Sequence, residues 1–127
     1  MSDERWLFDY IAQQLDTDPD YPFEGDDSAV FRHKSSGKWF ALVMRISRSK
    51  LGLEHDAPCS VVNLKCGPIM SAIFREQPGV FRAYHMNKEH WISVLLDGTV
   101  PKQELIQMIQ LSYDLTNIQG RKRRDKR

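Results

Sequence analysis

The chain has 127 residues, 41% hydrophobic, 10% aromatic and 28% charged. That is one domain's worth of sequence, with enough apolar side chains for a core that needs no metal or disulfide staple. Seven glycines and six prolines exclude a collagen-like or low-complexity chain, and no apolar run approaches the ~20 residues that span a bilayer. The formal net charge is +1, but residues 120–127 hold six of the eighteen cations and one of the seventeen acids, a local +5 that leaves −4 on the rest.

Ser2 and Asp3 stand where a helix cap belongs. Trp6, Leu7, Tyr10, Ile11 and Leu15 then fall on one helical face, with Asp9, Gln13 and Gln14 opposite. The pattern predicts a helix that stops near Thr17, before the turn signal Asp18-Pro19. A loop through Tyr21-Pro22-Phe23 leads to a strand at Ala29-Val30-Phe31, a hairpin turn at Ser35-Ser36-Gly37-Lys38 and a partner strand over 39–46. Residues 47–58, mixed in charge and holding Gly52 and Pro58, read as a mobile hairpin loop, and 60–65 as a third strand. Gly67-Pro68 opens a second helix, because proline suits a first helical turn, with Ile69, Met70, Ile73 and Phe74 expected on its buried face. Residues 77–80 end that helix, 81–88 read as a loop, and 90–96 as a fourth strand closed by Asp97-Gly98. Thr99-Val100-Pro101 starts the last helix, whose apolar face carries Leu105, Ile106, Met108, Ile109, Ser112, Tyr113 and Leu115.

Helix, three strands, helix, strand, helix predicts an α+β fold. Its expected form is a two-layer sandwich, an antiparallel sheet with helices packed on one face and the other left to solvent or a partner. One domain is expected over 1–117, followed by a basic, disordered tail over 118–127. The tail is suited either to phosphate contact by counterion release or to a solvated terminus. Cys59 and Cys66, in a C-x6-C spacing, match neither a zinc knuckle nor a redox dithiol and read as small apolar residues near a strand. An acidic start, Met1-Ser2-Asp3-Glu4, is unlike a signal peptide. A reducing, cytoplasmic setting is expected.

The segment from 80 to 98, V-F-R-A-Y-H-M-N-K-E-H-W-I-S-V-L-L-D-G, gathers Arg82, His85, Asn87, Lys88, His90 and Trp91 ahead of a strand. His85 and His90, five apart, fit neither a helical zinc pair nor a finger, so no metal is assigned. No nucleophile spacing, G-x-G-x-x-G or G-x-x-x-x-G-K-[ST] occurs, so no catalytic residue and no cofactor are assigned. An anion-binding surface uses these side chains best. Lys and Arg neutralise phosphate, Asn and His donate hydrogen bonds, and aromatic faces stack. Lys65 and Arg75 lie close by in the pattern. Arg32, His33, Lys34 and Lys38 surround the first hairpin turn, and Arg45, Arg48 and Lys50 begin the next loop. These two basic hairpins are expected to act as wings against a nucleic-acid backbone. Trp6, Trp39 and Trp91 fall at apolar-phase positions and read as core or core-edge residues. The acids between Asp3 and Asp27 match no calcium-loop spacing and read as a solvated face.

V-N-L-K-C at 62–66, P-G-V at 78–80, Y-H-M-N-K-E-H-W at 84–91 and L-D-G at 96–98, with Pro101 following, resemble the MmcQ/YjbR family of small bacterial proteins. Y-P-F at 21–23, A-V-F at 29–31 and W-F-A-L-V at 39–43 match its early strands. The resemblance implies the CyaY-like two-layer fold and a non-enzymatic, double-wing DNA-binding role. The residues it points to are Lys38, Lys65, Arg82, His85, Asn87, Lys88, His90 and Trp91. It does not bring the iron-binding acidic ridge of frataxins, which the motif lacks. A monomer is expected. The alternative is a protein-interaction module that docks a partner on the open sheet face or on the His85–Trp91 loop.

Overall fold

The computed structural model describes residues 4–117; Ser2, Asp3 and the tail over 118–127, with the capping and disorder expected of them, lie outside the described residues. The first helix, α1 (Arg5–Gln14), starts from Glu4, whose carboxylate accepts the Ser60 hydroxyl instead of capping the helix. It ends short of Thr17, because the Thr17 N–H turns back to the Ile11 carbonyl.

Five strands follow the expected order with one addition: β1 (Ala29–Arg32), β2 (Trp39–Ser47), β3 (Pro58–Lys65), β4 (Val80–Arg82) and β5 (Trp91–Leu95). They form one antiparallel sheet in the order β1-β2-β3-β5-β4. β4 occupies part of a segment expected to be loop. Its three residues pair Val80 with Val94, Phe81 with Ser93 and Arg82 with Ile92, a stretch too short to show an alternation of its own. Helices α2 (Gly67–Phe74) and α3 (Lys102–Thr116) complete the chain. The sandwich is therefore α+β, as expected.

Strand alternation sorts the side chains. Phe31, Val43, Val62, Leu64, Ile92 and Val94 face Leu7 and Ile11 of α1 and Leu105, Met108 and Ile109 of α3 in the main core. The opposite face was expected open, and it is closed. Val30, Leu42, Met44, Val61 and Leu95 are buried there beneath two loops, through Leu51 and Leu53 from one side and Tyr84 and Met86 from the other. The loop between β2 and β3 packs in this way around a single 3-10 turn, Arg48–Leu51.

α2 differs from its expected packing. Ile69 and Ile73 are 75% and 51% exposed, whereas Ser71 is 1% exposed and Met70 and Phe74 pack against the main core. At 100° per residue the buried face is centred between Met70 and Ser71 rather than between Ile69 and Met70.

Both long helices run from one end of the sheet to the other. At the far end Lys102 lies over the Trp6 ring, 5.1 Å from its centroid. At the near end Thr116 bonds His33 at 2.8 Å. There the Ser112 hydroxyl donates to the Phe40 carbonyl and accepts the Lys65 N–H at 2.9 Å, replacing a rung between β2 and β3.

Candidate nucleic-acid interface

In an antiparallel meander successive turns alternate between the two ends of the sheet. The turn between β1 and β2 and the loop between β4 and β5 therefore share the near end, with Lys65 closing β3 between them. The loop between β2 and β3, carrying Arg48 and Lys50, lies at the far end. Nine residues of β2 separate it from the first turn, roughly 30 Å of strand. The two hairpins expected to act together as wings do not converge. The sheet order pairs the first turn instead with the loop over 83–90.

The near-end cations differ in what already holds them. Arg32 is ion-paired with Asp20, and Lys34 with Asp16 at 3.1 Å. His33 is buried, its ring 4.4 Å from that of Tyr113 and 5.2 Å from that of Phe40. Burial pushes its pKa below the ordinary imidazole value, against the opposing pull of the Tyr113 backbone and Asp114. Lys38 is exposed and Lys65 half-buried, and among the described residues neither ammonium is in an ion pair. Arg75, at the end of α2, donates to the Ser71 hydroxyl at 3.3 Å.

The loop over 83–90 owes much of its sequence to its own construction. The Asn87 side chain accepts the Glu89 N–H at 2.8 Å, and its carbonyl accepts the His90 and Trp91 N–H groups. Lys88 donates to the Ala83 carbonyl at 2.8 Å, spanning the base of the loop while its ammonium keeps further donors. The His90 carbonyl takes the N–H groups of Cys66 and Gly67, which fastens the loop to the end of β3. His85 has φ 63°, a left-handed conformation, and its ring lies 3.9 Å from that of Tyr84.

Beneath the loop sits a polar triad that sequence reasoning did not single out. Asn63 and Ser93, fully buried and paired across β3 and β5, bond each other at 2.5 Å. The Asn63 amide donates to the Tyr84 carbonyl, and the Ser93 hydroxyl accepts the Tyr84 N–H. The visible trace is one polar residue inside each of two apolar runs, Asn63 within 61–64 and Ser93 within 91–95. Satisfied polar groups of this kind fix a loop in one register.

Alternation then divides the expected site residues. Lys65 and Trp91 are register partners on the loop-covered face. Trp39, which packs with that face, stands at the start of β2 alongside. Arg82 follows Val80, a main-core residue, in phase and so stands on the helix side of the edge strand. Lys38, Lys65, His85, Asn87, Lys88, His90 and Trp91 thus share one end of the sheet, and Arg82 points away from the others.

The cysteines take no part. Burial raises the Cys66 thiol to about 11, against a weaker opposing pull from Arg75, and burial raises that of Cys59. Such thiols are poor nucleophiles. Among the described residues no three His, Cys, Asp or Glu side chains come together as a metal ligand set, and no helix is long and apolar enough to cross a membrane.

A family model described as YjbR matches residues 13–115. The chain is 39% identical over 111 residues to YyaQ of Bacillus subtilis, covering 87% of this chain and 94% of that one. It is 36% identical over 53 residues to YjbR of Escherichia coli K12, covering 41% and 45% of the two chains. A crystal structure of a Pseudomonas syringae protein superposes with TM-score 0.88 at 42% identity, covering 91% of this chain and 99% of that one. A crystal structure of the Deinococcus radiodurans protein DR2400 superposes with TM-score 0.66 at 28% identity, covering 88% and 79%.

Proposed function

The chain belongs to the YjbR family, and from that premise together with its near-end geometry we propose that it is a non-enzymatic, cytoplasmic DNA-binding protein. The turn over 33–38 and the loop over 83–90 serve as its two wings, one on each side of the sheet. The observation that carries this reading is the sharing of one sheet end by Lys38, Lys65 and Lys88 with the root of the basic tail. Asn117, the last described residue, follows Thr116, which bonds His33 beside the first wing. Arg121 is four residues further on, within ~14 Å of extended chain. Tail and body can therefore meet one phosphate backbone, which a body of net charge −4 needs.

Fluorescence anisotropy of the full chain with labelled duplex DNA over a salt series tests this. Affinity is expected to fall steeply with salt, and removal of residues 118–127 to flatten the slope without abolishing it. Absence of binding to DNA of either strand state at low salt, or binding with no salt slope, overturns the reading. The competing reading is a protein-interaction module acting through the His85–Trp91 loop. It predicts salt-insensitive capture of a protein by the wild type that is lost on Trp91→Ala.

A further inference from the structure

Between the two wings, on the loop-covered face, an aromatic residue, a cation and a second aromatic residue lie on three adjacent strands: Trp39 on β2, Lys65 on β3 and Trp91 on β5. Lys65 and Trp91 are direct partners. Trp39 stands two residues before Ala41, the partner of Leu64, beside the end of β3. All three side chains are half-buried, neither sealed in the core nor fully solvated. Trp39 is held edge-on by Phe23, with ring centroids 6.0 Å apart, and Phe23 is itself 41% exposed. Trp91 is set by the paired N–H contacts to the Asn87 carbonyl.

A duplex offers a protein phosphates and base edges; the faces of its bases are spent on one another. Only unpaired bases can lay a π-face on an indole, and a lysine between two indoles meets the backbone that joins successive bases. We propose that the preferred partner of this platform is single-stranded DNA, whose bases stack on Trp91 and on the Trp39–Phe23 pair while Lys65 contacts the connecting phosphate. This rests on the nucleic-acid reading above and adds the strand state to it. Stacking needs no hydrogen-bond code, so binding tolerates sequence and favours no particular base pair.

The test compares a labelled oligo(dT) of about 20 nucleotides with a duplex of the same length, using the full chain at equal salt. Single strands are expected to bind at least tenfold tighter. Trp91→Ala is expected to lose about tenfold on the single strand and little on the duplex, with Trp91→Phe recovering most of the loss. Phe23→Ala, at a more exposed position, is expected to lose several-fold on the single strand alone, and remains informative if Trp91→Ala unfolds. Equal or tighter binding of the duplex overturns the stacking inference and leaves the phosphate-led reading standing, as do Trp91→Ala and Phe23→Ala variants that match the wild type on oligo(dT). Failure of both probes to bind at low salt overturns both.

Discussion

His33 shows how far a residue's type is from its role. In the sequence it stands among Arg32, Lys34 and Lys38 as one more basic group. In the fold its Nε2–H donates to Thr116, whose own hydroxyl is committed to the Ser112 carbonyl, and its ring is packed against Phe40 and Tyr113. Burial disfavours the imidazolium, so the unfolded chain takes up this proton first as pH falls. The stabilisation from the neutral ring is complete above about pH 6.5, the unfolded value, and is lost as pH drops below it toward the depressed folded value. Urea unfolding of wild type and His33→Gln between pH 7.5 and 5.5 checks this. The wild type is expected to lose more stability than the variant over that interval. Asn87 and Lys88 make the converse point. H-M-N-K-x-H-W was readable as a distinctive patch, but the partners of Asn87 and Lys88 are backbone groups, and a backbone acceptor has no letter in the sequence. Nothing short of coordinates separates a lysine reserved for phosphate from one that already bridges a loop.

At the scale of elements, the strands with clear β-branched runs were readable to within two residues. Two elements were not. β4 is three residues long and is defined by its pairing to β5, a non-local fact. Gly67-Pro68 places α2, but four apolar side chains spread over nearly half a turn do not say which edge is buried. The sheet and the small Ser71 side chain decide it. Ile69→Ser is accordingly expected to change unfolding free energy by less than about 0.5 kcal/mol, as at other exposed positions. Ser71→Leu, which overfills a closed site, is expected to cost about 1–3 kcal/mol. Urea denaturation of the two variants checks the orientation of the helix directly; a large loss at Ile69 would reverse it.

For the whole molecule, the antiparallel order decides which charges can act together. Composition and cation clusters were visible in the sequence, but the ends of the sheet on which they fall were not. That distribution depends on β5 inserting between β3 and β4. Lys38 and Lys65 share an end with the root of the tail, and Arg45 and Arg48 belong to the other, where they line a separate cleft with Asp97. In the same salt titration, Lys38→Ala and Lys65→Ala are each expected to lower the slope of log K against log salt by about one. Arg45→Ala and Arg48→Ala are expected to leave it unchanged.

The parallel run of α1 and α3 has a practical corollary. Both begin over the Arg45 end and finish beside His33, so the described chain leaves the fold at the end that carries Lys38 and Lys65. It enters the fold at Glu4, whose carboxylate is moored to Ser60, a sheet's length away. Immobilisation through the carboxyl terminus is expected to mask the very contacts under assay, whereas immobilisation through the amino terminus presents them outward.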